Sequence, residues 1–255
     1  MYKCYNVFEQ GECMQQKRLF NILSFCSNLF LVIAITWAVA FYFYHEDGSG
    51  NMLAHGTTCF RFFTIDSNVI VAVSSLIYLY FNIQAFRGKL IEIPLWVRLF
   101  RFISIVAAMV TFFVVLLFLV PMGAITKGLS PFYYYERNCI ILHVFAPLIA
   151  AITLCVFEKD DKIDNKVLCY FSFGTVILYG VVYFVCVVMT NVWPDFYGLT
   201  FDGRLYLSPF GALLILCVCW GSIELLYYLQ GLCISKLPER IYGKDNNEHN
   251  YKNVF

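Results

Sequence analysis

Charge is scarce in this chain. Lys, Arg, Asp and Glu supply 14% of the 255 residues, while 60% are apolar. A soluble domain carries about 25% charged and 45–50% apolar residues. Few soluble folds can hide so much apolar surface, so the class is an all-α integral membrane protein. The sequence also lacks polar/apolar alternation at every second position, which excludes a transmembrane barrel. It holds no G-x-x-x-x-G-K-[ST] and no G-x-G-x-x-G, so no phosphate-binding loop is indicated. No Lys/Arg run points to nucleic acid, and the net charge of +1 says nothing about partners. Cysteine is plentiful at 11 residues, yet no C-x-x-C occurs, which argues against disulfide-exchange chemistry.

What the chain does have is long apolar runs. Six read as spans: about Phe20–Tyr44, Cys59–Phe86, Leu95–Val120, Arg137–Phe157, Val167–Thr190 and Pro209–Cys233. Each is long enough to cross roughly 30 Å of hydrocarbon at about 1.5 Å per residue. The first is too long for a signal-peptide core of about 7–15 residues, despite Ala38-Val39-Ala40. Pro121-Met122-Gly123 reads as the stop of the third span. The expected layout is an N-terminal segment 1–19, one membrane bundle 20–233 with an internal cavity opening toward the outer leaflet, and a polar tail 234–255.

Charge placement orients the spans. With the N-terminus in the cytoplasm, every Lys and Arg falls on the inner side except Arg61, Lys127, Arg137 and Arg204. That bias predicts an N-in, C-in topology. Tyr133, Tyr134, Tyr135, Trp193, Phe196 and Tyr197 then read as the aromatic belt of the outer interface.

Polar residues inside apolar runs are expensive and mark function by default. Thr64, Asp66, Ser67 and Asn68 open the second run, and His143 opens the fourth. Among the 4 histidines, His143 alone lies within a span. Thr64 and His143 enter from the same side, both roughly 7–9 Å below their helix starts. A Thr hydroxyl is a weak nucleophile and needs a base, usually imidazole. Such a pair in an apolar pocket suits attack on a lipid carbonyl. Asn68 at i+4 and Arg61 at i−3 share the face of Thr64. Asn68 can donate to an oxyanion or orient His143, and Arg61 at the mouth can hold a fatty-acid carboxylate. Asp66 points about 200° away around the helix, to pair with another helix, cap a polar network or orient His143 less directly.

Plainer readings stand beside these. A membrane Thr commonly bonds its own i−4 carbonyl. Ser67 reads as packing and Glu224 as one half of a structural pair. Pro147 bends the fourth helix and frees the carbonyl of His143. Cys59 and Cys139, about one turn above Thr64 and His143, are either a disulfide or two buried thiols.

Phe62-Phe63-Thr64-Ile65-Asp66-Ser67-Asn68, with Leu142-His143 and Pro147 further on, resembles the androgen-induced protein / androgen-dependent TFPI-regulating protein family. The resemblance extends over the six-span layout to about Cys233. It implies an integral-membrane threonine hydrolase of fatty-acid esters of hydroxy fatty acids, with Thr64 as nucleophile and His143 as base. It implies no cofactor or metal and only lipids as partners. Thr-Ile-Asp-Ser-Asn looks closer to the family's bacterial relatives, and for such a member the resemblance implies the plasma membrane. A second class is a transporter or channel in which Asp66, Asn68 and His143 line a proton or solute path, although no inverted repeat is evident. A haem carrier needs paired axial ligands, which one span histidine does not supply.

Overall fold

The computed structural model is 84% helix, with no strand among the described residues. It describes residues 2–44, 55–89, 92–136, 138–158, 161–200, 203 and 205–241, and their side chains except at 2–17, 127 and 235–241. The helices are α1 (Tyr2–Tyr44), α2 (Phe63–Phe86), α3 (Leu95–Thr126), α4 (Ile141–Phe157), α5 (Lys166–Met189) and α6 (Ser208–Ile241). Segments of five of them are long and apolar enough to cross a membrane; α4 is a shorter apolar helix. Apolar side chains also face outward. Leu178 and Met189 on α5 are 68% and 69% exposed, a surface suited to lipid rather than water.

Several boundaries differ from the sequence reading. Gly56–Arg61 forms a 3-10 turn, so α2 begins at Phe63 rather than Cys59. Arg137, the expected start of the fourth span, lies outside the described residues; helical backbone starts at Cys139 and runs into α4 (Ile141–Phe157). α6 runs past Cys233 to Ile241, so helix takes up the start of the supposed tail. The remainder of that tail, and residues 45–54 of the first loop, lie outside the described residues.

The third span does not stop at Pro121. Helical backbone continues through Val120–Lys127 and ends at Gly128, whose φ of 62° gives the left-handed residue a C-terminus favours. The reason lies just upstream, where Val115–Leu119 forms a π turn. Proline lacks an N–H and its ring crowds the preceding turn. Widening that turn relieves the crowding, and the helix carries on. α4 repeats the device, with the π turn Ile141–Phe145 directly before Pro147.

Polar side chains inside the bundle gather in two layers. In the first, Arg101, counted in the sequence only among the inner-side charges, is fully buried. Its Nε donates to Glu158 Oε2 at 3.1 Å, and its Nη atoms donate to Ser75 Oγ at 2.8 Å and Asn28 Oδ1 at 2.6 Å. Glu158 Oε1 accepts in turn from Asn28 Nδ2 at 2.7 Å and Ser24 Oγ at 3.0 Å. The guanidinium also lies 5.1 Å from the centre of the Tyr78 ring. A buried charge is tolerated only when paired and hydrogen-bonded, as both are here. The network ties α1, α2 and α3 to the end of α4. Nearer the surface, Lys166 pairs with Glu224 at 2.6 Å across α5 and α6. The second layer lies at the other end of α2, where the connections α3–α4 and α5–α6 meet its first turn.

Candidate active site

Phe62 is extended, with φ −97° and ψ 124°, so the chain turns sharply from the 3-10 segment into α2. Thr64 therefore stands in the first turn of α2, a few residues nearer the helix end than Cys59 as a start would place it. His143 lies in the π turn at the start of α4. Both positions shift in the same direction, so the two side chains still meet. Thr64 Oγ1 is 3.4 Å from His143 Nε2, and both residues are buried. The other ring nitrogen, Nδ1, is 2.7 Å from the carbonyl oxygen of Tyr134. A carbonyl can only accept, which assigns the proton to Nδ1 and leaves the Nε2 lone pair facing the Thr64 hydroxyl.

That brace comes from the α3–α4 loop. Tyr134 sits in a short 3-10 turn, and its ring lies on α3 at Gly123. A methyl group at position 123 would come within 2.8 Å of the Tyr134 hydroxyl, so glycine here permits the close approach. Burial raises the Tyr134 phenol, with neighbouring Tyr133 adding to the effect.

Asn68 is fully buried beneath the pair, but not as an oxyanion donor. Its Nδ2 donates to Thr64 O at 2.7 Å and to Leu142 O at 3.1 Å, which commits both amide hydrogens. It clamps α2 to α4 beside Thr64 and His143. The Asp66 side chain makes no hydrogen bond or ion pair among the described residues and does not orient His143, whose Nδ1 is held by Tyr134. Arg61 contributes its carbonyl oxygen, which accepts from Tyr179 at 2.6 Å. Its side chain is not on the wall of the adjoining cavity, so the carboxylate-holding role has no support there. Cys59 and Cys139 are not bonded to each other; both are buried thiols, and Cys139 Sγ lies 2.8 Å from Tyr42 Oη.

A cavity of about 400 Å³ opens beside Thr64, between α2, α3, α5 and α6. Its wall is mostly aliphatic and aromatic, including Phe63, Val114, Phe118, Ile177 and Ile215. Thr64 is part of this wall, whereas His143, Asn68 and Asp66 are not. Thr64 thus stands between His143 behind it and the chamber in front.

The sequence reading missed the α5–α6 loop, where it saw only belt aromatics. Tyr197 folds inward: its hydroxyl accepts from Phe63 N at 3.0 Å, and its side chain lines the cavity together with Thr64. Asp195 shapes this loop by accepting from Tyr183 Oη at 2.5 Å and from the backbone of Leu199 and Thr200 at 3.0 and 2.7 Å. Burial pushes the Asp195 carboxyl up, but the bonds from Thr200, Tyr183 and Leu199 outweigh it and hold the group below its usual range. The signal available in the sequence was a turn-forming Asp195 and Gly198 flanking two aromatics. Among the described residues no three His, Cys, Asp or Glu converge as metal ligands.

No family model, curated protein or solved structure matches this chain. Its functional assignment rests on the geometry of the site.

Proposed function

We propose that this protein is an intramembrane hydrolase of lipid esters, with Thr64 as nucleophile and His143 as general base. The observation that carries the reading is the hydroxyl–imidazole pair at 3.4 Å, backed by a carbonyl and opening on an apolar cavity of about 400 Å³. In this reading α4 is a sixth crossing, and both termini face the cytoplasm. The site then lies beneath the outer leaflet, where lipid esters are at hand.

The steps follow from the tautomer. His143 Nε2 takes the Thr64 proton as Oγ1 bonds to the ester carbonyl carbon. The tetrahedral intermediate collapses, the ester C–O bond breaks, and His143 returns the proton to the leaving alkoxide. Water then attacks the acyl-Thr64 ester with His143 again as base, releasing the acid and restoring the hydroxyl. A separation of 3.4 Å suits a resting site that tightens when substrate is bound. The cavity takes the acyl chain. Ester of a hydroxy fatty acid, as the sequence resemblance implies, is one member of this substrate class. The transporter alternative requires Asp66, Asn68 and His143 to line one path, and none of them lines the cavity.

Purified protein in detergent should hydrolyse long-chain lipid esters and become labelled by a fluorophosphonate at Thr64, located by peptide mass mapping. Thr64→Val, which keeps shape and removes the hydroxyl, should lose both label and turnover. Full turnover in a folded Thr64→Val protein would refute the assignment.

Gly180 provides a separate check on the cavity. It lies on the cavity wall, and a Cβ there meets nothing within 4 Å. Gly180→Leu fills that space, so kcat/KM for long acyl chains should fall about 10–200-fold relative to short ones. Comparing a chain-length series in the two proteins reads this directly; an unchanged ratio means the chain lies elsewhere.

A further inference from the structure

Acyl transfer from Thr64 develops negative charge on the substrate carbonyl oxygen, and that charge needs a donor on the cavity side of Thr64. Asn68 is excluded, because its amide hydrogens are held by two backbone carbonyls. The remaining candidates are the hydroxyls of the cavity wall. Tyr179 donates to Arg61 O at 2.6 Å, Ser208 to Leu199 O at 2.7 Å, and Tyr183 and Thr200 to the Asp195 carboxylate at 2.5 Å. Thr111 is held between Ser67 Oγ at 3.0 Å and the carbonyl of Ala107 at 3.4 Å. All these hydrogens have fixed acceptors. Tyr197 differs: its oxygen accepts from the N–H of Phe63, the residue before Thr64, and it shares the cavity wall with Thr64.

We propose that Tyr197 is the oxyanion donor of this site: its hydroxyl, fixed by the Phe63 amide and placed on the cavity face of Thr64, donates to the carbonyl oxygen as Thr64 attacks. The proposal rests on the hydrolase reading. At rest the Phe63 N–H donates to Tyr197, and the Thr64 hydroxyl faces His143 Nε2. On attack the Tyr197 hydrogen turns to the carbonyl oxygen on which the negative charge develops. Each donation strengthens the next, because the Phe63 amide polarises the phenol toward its acceptor. Tyr197 stays protonated throughout, since burial pushes its phenol up to about 12. The position also suits the substrate. The first turn of a helix carries N–H groups without intrahelical acceptors and the positive end of the helix dipole, and both favour an anion beside Thr64.

The test is steady-state hydrolysis of a long-chain ester by wild type and Tyr197→Phe, with melting temperatures of both. The expected result is a kcat lower by about 10²–10³-fold with KM within a factor of two. The fluorophosphonate adduct at Thr64 should still form, more slowly. A Tyr197→Phe kcat within twofold of wild type overturns the proposal, and so does a loss of rate that follows a matching loss of melting temperature. If Tyr197→Phe does not fold, fluorinated tyrosines at position 197 keep the shape and vary the acidity of the donor. A kcat that tracks phenol acidity supports the proposal, and a flat series overturns it. The hydrolase reading fails on a different result, namely wild-type turnover that does not require Thr64.

Discussion

His143→Gln should lower ester turnover by about 10²–10⁴-fold while leaving the protein folded. The substitution separates two jobs of the imidazole. A Gln side-chain amide retains a donor for the Tyr134 carbonyl, so the local brace persists. It has no basic nitrogen for Thr64, so the hydroxyl must attack without losing its proton to the protein. The expected pattern is a fall in kcat, a KM close to wild type and slower phosphonylation of Thr64. A rate near wild type in a folded His143→Gln protein would show that some other group takes the proton. The removal of Thr64 and His143 together should cost scarcely more than either alone, because the two act as one unit.

Arg101→Ala should have the largest effect on stability, about 3–5 kcal/mol. The guanidinium is fully buried and bonded to Glu158, Asn28 and Ser75. Removing it strands the Glu158 carboxylate, 4% exposed, with only Ser24 and Asn28 as donors to its oxygens. Desolvation of that lone charge, rather than the lost attraction, dominates the cost. Two results would follow from this. Glu158→Gln alone should also destabilise, because Arg101 is then left without a counter-charge. Arg101→Met combined with Glu158→Leu should recover most of the loss, since an apolar pair leaves no charge to desolvate. Thermal unfolding in one detergent compares all four proteins. Additive losses in the double variant would mean that Arg101 and Glu158 act independently.

The sequence made the helices and half of the site readable, and particular residues show why the rest was not. Thr64 and His143 were legible because a polar side chain in an apolar run has few harmless explanations. Asn68 was placed correctly at the site, but its side-chain partners are main-chain carbonyls, and spacing does not reveal those. Arg101 lies close to Arg98 and to a helix start, so the sequence showed it only as one more inner-side charge. Its partner Glu158 is 57 residues away, and only tertiary structure brings them together. Pro121 obeyed the rule for a helix stop until the π turn before it absorbed the misfit. Tyr197 fitted an interfacial belt equally well, and nothing local distinguishes a ring at the lipid surface from one turned toward Thr64.

The acceptor on His143 Nδ1 belongs to the peptide backbone, and this sets the histidine apart from one oriented by a carboxylate. Every residue type at position 134 carries the same oxygen, so alanine there removes no atom of the tautomer-setting partner, only the ring that packs the loop on Gly123. Nor does that oxygen take up a proton in acid, so the orientation survives conditions that would neutralise an aspartate. Evolution can retune this histidine only by changing the length or path of the loop, as a one-residue deletion between Gly128 and Tyr134 would.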